Sequence, residues 1–341
     1  MLAKNLIFFA FILSFIIGAC EPNKNRVITQ NAFYYWQTVF ELDSLEQNIL
    51  IKSNVQKLYV RFFDVDIDEK GLPKPISTIK FKKNVNTEIV PVIYITNRTL
   101  QNLKSSDIKV LSLNIKKKIN ELCASINLTP TEIQIDCDWS QSTAANYFIL
   151  LEELKSIYTV QTLSATIRLH QIKFPELTGI PPVDRGALMV YNVVKLTDFN
   201  TKNSIFDPYL IEPYLDRISD YPLELDIAFP IFKQLVLFRN NRFVTVLRKE
   251  NYFQIEKLKS FTRIDDSNNY RCQKDTIIAN IAISNGDIIR NEVSHSERKN
   301  NIEKMILESR KNQVKLTYLY FDLSSENFNN SHDEIPAFPS Y

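Results

Sequence analysis

The stretch EIQIDCDWSQS at residues 132–142 places the carboxylates of Asp136 and Asp138 on a segment that otherwise resembles a buried strand. Apolar and polar side chains alternate along it, which is typical of a strand with one buried face. The apolar face carries Ile133, Ile135, Cys137 and Trp139, and the polar face carries Gln134, Asp136, Asp138 and Ser140. Carboxylates on an interior strand are unfavourable unless they are paired, hydrogen-bonded or functional. The pattern therefore predicts a strand over 132–139 with two aspartates directed toward a site.

Other apolar segments also carry polar side chains at alternate positions. The groups assigned to the same interior are Ser164, Thr166, Arg168 and His170 in 163–170, Met189 and Tyr191 in 187–192, Glu224 and Asp226 in 223–229, and Tyr318, Tyr320 and Asp322 in 315–323. Five of these groups are predicted near the carboxyl ends of their strands, where parallel barrels place their chemistry: Asp138, His170, Tyr191, Asp226 and Asp322. The alternative is a satisfied polar network in which Arg168 neutralises Asp136.

Strand-like segments alternate with helical patterns about eight times along the chain. The strands are predicted at 32–38, 57–63, 88–96, 132–139, 163–170, 187–192, 223–229 and 315–323, and the helices at 43–55, 105–126, 143–158, 207–217 and 296–311. This alternation favours an α/β fold, a (β/α)₈ TIM-type barrel. A doubly wound open sheet is the alternative, but the chain lacks the glycine-rich phosphate turn expected there.

The barrel is predicted over 29–325, with a hairpin-rich, irregular insertion at 230–292 and a flexible tail at 326–341. One hairpin is predicted to turn at Asn240-Asn241 and a second at Asn285-Gly286. Asp64 and Asp66 are assigned to a solvated turn after the second strand.

The first residues indicate export. An apolar run that is too short to span a bilayer ends in Ile17-Gly18-Ala19-Cys20, which resembles the lipobox of bacterial lipoproteins. That resemblance implies a signal peptide at 1–19, a lipid on Cys20 and a tether at 20–28, so we expect membrane attachment at the bacterial cell envelope, at the outer membrane. The alternative is an ordinary secretory signal in which Cys20 is incidental.

Composition excludes several classes of partner. With 41 basic and 39 acidic residues and no basic cluster interleaved with aromatic residues, a nucleic-acid partner is not expected. After Cys20, the three cysteines Cys123, Cys137 and Cys272 fit neither a disulfide framework nor a metal-ligand spacing. We expect no metal and no cofactor.

IDCDWS at 135–140 and LMVYN at 188–192 are similar to two motifs of family 18 glycoside hydrolases, the chitinase-like (β/α)₈ barrels. In that family the fourth strand carries D-x-x-D-x-D-x-E and the sixth carries Met-x-Tyr-Asp. The resemblance implies that Asp138 orients an N-acetyl group of the substrate and that Tyr191 supports it. The matching positions depart in three places: Ile133 replaces the first aspartate, Ser140 the acidic glutamate, and Asn192 the aspartate after the tyrosine.

A broader resemblance, to a family of bacterial envelope lipoproteins, covers 59–68, 88–97, 132–140, 164–192 and 221–243. It implies the fold and the location.

Together these features predict a lipid-anchored barrel that binds, and in one reading hydrolyses, a glycan or other small polar ligand. Because a serine hydroxyl is no general acid near neutral pH, hydrolysis would need Asp226 or Glu224 as the acid. The competing reading is a non-catalytic glycan-binding or scaffold lipoprotein. The predicted site comprises catalytic candidates Asp136, Asp138, Tyr191, Glu224 and Asp226, and ligand-binding candidates Trp36, Arg168, His170, Asn192 and Asp322.

Overall fold

The computed structural model describes residues 27–55, 57–82, 87–101, 103–247, 254–264, 267–294 and 299–328. The predicted signal peptide, Cys20 and residues 329–341 of the predicted tail lie outside these ranges. Eight parallel strands, each hydrogen-bonded to the next and the last to the first, close into a barrel. They are β1 (Ile28–Tyr35), β2 (Lys57–Ile67), β3 (Glu88–Ile95), β4 (Glu132–Asp136), β5 (Thr162–Arg168), β6 (Arg185–Met189), β7 (Glu224–Pro230) and β8 (Lys315–Phe321).

Helices cover the outside of the barrel. The main ones are α1 (Ser44–Lys52), α2 (Ser105–Ser125), α3 (Ala144–Ile157), α4 (Leu169–Lys173) and α5 (Lys299–Ser309). Single turns lie at Asn97–Leu100, Pro175–Thr178 and Pro208–Ile211, and 3₁₀ turns at Glu212–Asp220, Ile255–Lys257 and Ser325–Asn327. The helix predicted over 207–217 is instead one α-turn followed by a 3₁₀ segment. Pro213 lies in that segment and has no backbone N–H with which to continue an α-helix. The fold is thus the predicted (β/α)₈ barrel.

The outer face of each strand packs against the helices. On β4 and the loop after it, Ile133, Ile135, Cys137 and Trp139 all belong to this outer core, as the period-two pattern predicts. The strand itself ends at Asp136, three residues earlier than predicted. Trp139 stacks on Tyr147 of α3 at 5.1 Å between ring centroids, and its indole N–H donates to the carbonyl of Thr178 at 2.9 Å. This tryptophan therefore holds α3 to the barrel.

The inner face of the barrel contains a smaller apolar cluster with polar layers around it. The cluster consists of Ala32, Tyr34, Tyr59, Val90, Val92, Ala187, Met189, Tyr191, Ala228 and Leu319. The prediction for β8 is wrong, because Tyr318 and Tyr320 lie in the outer core and Leu319 lies inside. Side chains of β8 alternate between the two faces as in any strand, but both faces are apolar, as is usual for parallel barrel strands. The sequence therefore does not show which face of β8 lies inside.

The insertion between β7 and β8 is a five-stranded antiparallel sheet, called the insertion sheet. Its strand order is Arg242–Leu247, Lys233–Arg239, Ile288–Val293, Asn269–Cys272 and Phe261–Arg263. The predicted hairpin at Asn240-Asn241 is confirmed, with both residues at positive φ. The second prediction is wrong, because the short hairpin Thr276–Ile278 to Ile281–Ile283 turns at Ala279-Asn280. Asn285-Gly286 instead leads into the strand Ile288–Val293, which pairs with Lys233–Arg239.

Among the described residues, no helix is both long and apolar enough to cross a membrane. Cys123, Cys137 and Cys272 are all buried free thiols. Residues 326–328 belong to the packed fold, because the ring of Phe328 lies 6.4 Å from that of Phe33.

Candidate ligand site at the mouth of the barrel

The end of β4 brings two carboxylates to the carboxyl-terminal mouth of the barrel. Asp136 is buried and accepts a hydrogen bond of 2.6 Å from the Thr166 hydroxyl of β5. Burial and the neighbouring charge of Asp138 raise the pKa of Asp136 to about 6, against the lowering effect of that hydrogen bond. Near neutral pH this carboxyl can therefore hold or release a proton.

Asp138 lies two residues further on and is half exposed. Both of its oxygens accept from the guanidinium of Arg168, from Nε at 2.5 Å and from Nη2 at 2.7 Å. Burial opposes the charge on Arg168, but the hydrogen bond to Asp138 outweighs it and raises the pKa of the arginine. Arg168 is thus a fixed cation that pairs with Asp138. The satisfied-network alternative had instead proposed that Arg168 neutralises Asp136.

Tyr191 follows β6 and points its ring into the mouth. Its side chain is 3% exposed, and its hydroxyl has no hydrogen-bond partner in the described part of the chain. Burial raises the pKa of Tyr191 far above its usual value, so the group is a neutral phenol. A buried hydroxyl without a partner is unfavourable, and such groups commonly have a ligand or water as their partner.

Aromatic rings from four strands form the floor of the mouth. Phe321, at the end of β8, stacks on Tyr191 with centroids 5.8 Å apart and contacts Trp36 at 5.4 Å. Phe232, after β7, completes the row at 6.0 Å from Phe321. Trp36 and Phe321 are only partly buried, so their rings are accessible from the mouth.

The second strand contributes two arginine–aspartate pairs that were predicted as a solvated turn. That prediction is wrong, because β2 continues to Ile67 and its last aspartates are buried. Asp64 pairs with Arg61, whose guanidinium lies 5.6 Å from the ring centroid of Trp36. Asp66 pairs with Arg98 after β3, with Nε donating at 2.7 Å. Charges around the mouth are therefore largely matched in pairs.

The remaining mouth residues predicted from the sequence lie at the expected end of the barrel. His170 lies in α4 with its side chain largely exposed, and partial burial of the ring and the charge of Arg168 lower its pKa. Asn192 is exposed, at φ 56°, and its backbone N–H donates to Ile205 at 2.9 Å. Asp322 follows β8 and accepts from the side-chain amide of Asn327 at 3.0 Å.

Glu224 and Asp226 do not belong to this group. They are the first and third residues of β7, so they lie at the amino-terminal end of the barrel, and the predicted placement of Asp226 near a carboxyl end is wrong. Asp226 is buried, pairs with Arg185 at 2.8 Å and accepts from the Thr317 backbone N–H at 2.7 Å. Glu224 pairs with the same arginine. Both carboxylates therefore hold strands together and have no access to the mouth.

Ser140, at the position of the acidic glutamate in the resembling family, lies in a hydroxyl cluster. Its Oγ is 2.9 Å from that of Ser142 and 3.2 Å from that of Thr143. Among the described residues, no group of three or more His, Cys, Asp and Glu side chains is placed to hold a metal ion. The chemistry available at the mouth is hydrogen bonding, ring stacking and proton transfer through Asp136.

The sequence patterns missed Tyr94, Phe232 and Phe321 as mouth residues. Burial, followed by the charges of Asp138 and Asp136, raises the pKa of Tyr94 to about 12, so its phenol is neutral beside these carboxylates. Phe321 is missed because β8 is apolar on both faces. The signal that could have found it is its position as the last residue of the strand.

Two solved structures share this fold at low sequence identity. A family 18 chitinase from Cycas revoluta, in complex with (GlcNAc)4, matches with a TM-score of 0.53 and 11% identity over 88% of this chain and 96% of that one. The spore cortex-lytic enzyme SleL of Bacillus cereus matches with a TM-score of 0.50 and 13% identity over 89% of this chain and 74% of that one. No family model matches the chain, and no curated protein is similar to it in sequence. The two structures establish the barrel fold.

Proposed function

We propose that the mouth of the barrel binds a glycan and does not cleave it by the usual two-carboxylate route. The observation that carries this proposal is the Tyr191 hydroxyl, which is buried without a partner in the described chain beside Asp136, Asp138 and Arg168. A sugar hydroxyl or an acetamido group supplies the missing hydrogen bond. Family 18 barrels, which the motifs IDCDWS and LMVYN resemble, use the matching tyrosine and aspartate for the N-acetyl group.

The aromatic floor supports the same ligand class. Trp36 and Phe321 offer partly exposed ring faces, and sugar rings stack on such faces through their C–H groups. The arginine–aspartate pairs around the floor leave no strong net charge, which suits a neutral or weakly charged sugar over a polyanion. Apolar rings with a few fixed polar groups are the usual composition of a small-ligand site.

Two placements argue against ordinary hydrolysis. Ser140 offers a hydroxyl where a retaining family 18 enzyme has its acid, and Glu224 and Asp226 lie at the opposite end of the barrel in pairs with Arg185. A glycosidase needs a proton donor within reach of the glycosidic oxygen. Asp138, the other carboxylate that β4 brings to the mouth, is paired through both oxygens with the Arg168 guanidinium, so it is placed as a hydrogen-bond acceptor and not as a proton donor.

The test compares two phenols of equal burial. Tyr191→Phe removes the unpartnered hydroxyl at the mouth. Tyr147→Phe removes an equally unpartnered hydroxyl on α3, in the core between the barrel and its helices. Calorimetric titration with (GlcNAc)4, and a separate binding screen on a glycan array, should each show weaker binding only for Tyr191→Phe. Both variants should melt at or slightly above the wild-type temperature, because each loses a buried, unpaired polar group. Equal affinity in the two variants would contradict the proposal.

Hydrolysis is a second candidate because of Asp136. A buried carboxyl whose pKa is raised to about 6 can donate a proton in weakly acidic solution. Product analysis of (GlcNAc)4 after incubation near that pH decides between the two functions. Shorter sugars that disappear with Asp136→Asn would favour hydrolysis and overturn the binding-only proposal.

We also propose that the protein is attached to the bacterial cell envelope, at the outer membrane, by a lipid on Cys20. The support is the lipobox-like sequence Ile17-Gly18-Ala19-Cys20 after a short apolar run. A glycan-binding barrel held at the envelope would act on polysaccharide close to that membrane.

A further inference from the structure

The described chain begins at the amino-terminal face of the barrel, opposite the mouth. Val27 precedes Ile28, the first residue of β1. Six residues lie between Cys20 and Val27, and the seven Cα–Cα steps span at most about 25 Å when the chain is extended. A lipid on Cys20 would therefore keep this face near the membrane, but a tether of that length allows the barrel to turn over. Whether the face contacts the bilayer depends on its own surface.

Four large aliphatic side chains protrude from this face. Val160 precedes β5 and is 86% exposed, Val314 precedes β8 and is 70% exposed, and Ile28 is 62% exposed. Ile51, near the end of α1, is 78% exposed. Ile28 and Val314 are neighbours, because the Ile28 N–H donates to the Val314 carbonyl at 2.9 Å. Single exposed aliphatics are common, but here they lie at the start of one strand and in the segments before three others, β2, β5 and β8.

Lysines accompany these aliphatic groups. Lys52 follows Ile51 and Lys315 follows Val314, and both are exposed. An aliphatic side chain beside a lysine is the composition of surfaces that lie in the lipid headgroup layer, where the ammonium reaches phosphate and the apolar part reaches the acyl chains.

A shallow apolar groove extends the same face. It has a volume of about 620 Å³, and it lies between the end of α3 and the loops before β6 and β7. Its lining includes Ile180, Pro181, Pro182 and Pro222. Apolar groups at this end of the barrel therefore lie before β6 and β7 as well as at the exposed positions near β1, β2, β5 and β8.

We infer that the amino-terminal face of the barrel, with Ile28, Ile51, Val160 and Val314 at its rim, docks on the surface of a phospholipid bilayer. This inference rests on the proposed lipid anchor and is independent of glycan binding. The docked face fixes an orientation that the tether alone leaves free. Strands of about eight residues, tilted as in TIM barrels, then hold the mouth roughly 20 Å above the membrane and facing away from it.

The experiment measures the position of each end of the barrel relative to lipid. The chain from residue 20 onward is coupled through the Cys20 thiol to a maleimide lipid in vesicles of phosphatidylethanolamine and phosphatidylglycerol. Cys123, Cys137 and Cys272 are buried and do not compete for the coupling. Tryptophan is placed on the face in Val160→Trp and Val314→Trp. The matched control is Leu72→Trp, at 60% exposure, in the turn at the mouth end between β2 and the short antiparallel strand Pro73–Ile76. Brominated acyl chains then quench those tryptophans that touch the bilayer.

The emission that Val160→Trp and Val314→Trp add to that of the native Trp36 and Trp139 should be quenched in brominated vesicles, and the emission added by Leu72→Trp should persist as in solution. Thermal melting before coupling confirms that each variant is folded. Equal quenching at all three positions, or quenching of Leu72→Trp alone, would overturn the inference. So would a dimer of the uncoupled chain in sedimentation that Val314→Ser dissociates, since a second copy would then cover the face. Glycan affinity does not enter these readouts, so failure here is distinguishable from failure of the proposed function.

Discussion

Asp136 and Asp138 are two residues apart, yet their surroundings give them different chemistry. Asp136 ends β4 inside the barrel, where Thr166 is its hydrogen-bond donor. Asp138 lies in the loop at the mouth, where Arg168 binds both of its oxygens. Burial raises the pKa of Asp136, whereas Asp138 is half exposed and paired with a fixed cation, so the two carboxylates differ in their surroundings and in access to a ligand.

The raised pKa of Asp136 makes stability depend on pH. Between the unfolded value of 3.8 and the folded value of about 6, the folded state binds more protons, so the free energy of unfolding falls as pH rises through this window. Above it the full penalty of the buried charge is present. Asp136→Asn accepts the same hydrogen bond without the charge, and it should raise the free energy of unfolding by on the order of 1–3 kcal/mol at pH 7. Denaturant unfolding at a series of pH values checks this, and a gain that does not shrink toward pH 4 would contradict it.

Asp138 is expected to act on ligand and not on folding. Its pair with Arg168 is partly exposed, so Asp138→Asn should cost less than about 1 kcal/mol of stability. Loss of a charged hydrogen-bond acceptor should weaken glycan binding by about 1.5–3 kcal/mol. Ser140→Ala, which disturbs only the neighbouring hydroxyls of Ser142 and Thr143 and a long hydrogen bond from the Asn97 amide, is the control and should leave affinity unchanged. Paired melting and titration measurements check both, and a large fall in melting temperature with unchanged affinity would mean that Asp138 is structural.

Period-two alternation predicted which face a residue occupies but not its height along the barrel axis. Asp136 and Thr166 lie inside as predicted, and so does Asp226. Asp226 is nevertheless at the wrong end, because β7 runs four residues beyond it, from Ile227 to Pro230. Height depends on where each strand begins and on the stagger between strands, and neither leaves a signal in the alternation.

At the scale of elements, the insertion sheet holds the loop that follows β6. Arg290 and Glu292 lie on one strand of the sheet, are almost fully buried, and are joined by a hydrogen bond of 2.6 Å. Glu292 also accepts from the Ser204 backbone N–H and hydroxyl, and Arg290 donates to the carbonyls of Leu196 and Asp198. The loop at 192–206 starts beside Tyr191, so the insertion sheet supports one wall of the mouth.

Glu292→Gln tests this support. The substitution leaves the Arg290 cation buried without its carboxylate, which should cost about 3–5 kcal/mol in the free energy of unfolding. Hydrogen exchange should rise first in 196–206, before the barrel strands. The matched control is Glu308→Gln, which breaks an exposed pair with Lys304 and should cost less than about 0.5 kcal/mol. Equal effects from the two substitutions would contradict the anchoring role.

Turn chemistry predicted one hairpin of the insertion and misplaced the other. Asn240-Asn241 turns as predicted, because asparagine tolerates the positive φ of both turn positions. The second turn uses Ala279-Asn280, and alanine at φ 51° carries no local signal. Asn285-Gly286 is a stronger local signal, but long-range pairing of Ile288–Val293 with Lys233–Arg239 decides the register.

At the scale of the whole molecule, strand–helix alternation was enough to predict the closed barrel. The eight predicted strands correspond to the eight observed ones, because buried parallel strands leave long apolar runs between amphipathic helices. One consequence is that all carboxyl ends meet at a single mouth. The other is that Val27, where the described residues begin, and the four exposed aliphatics share the opposite face.

Cys20 would then connect the barrel to its membrane. Cys20→Ala removes the only thiol of the lipobox-like sequence, and without acyl chains the protein should leave the membrane fraction or keep its signal segment, since stable anchoring needs more than one lipid chain. Docking by the amino-terminal face alone should hold only a minor fraction. Fractionation of cells, with the mass of the mature protein measured beside it, is the check. Cys123→Ala, which changes a buried thiol in α2, is the control and should remain membrane-bound. A processed Cys20→Ala protein that stays fully with the membrane would exclude the anchor and make the aliphatic face itself the principal attachment.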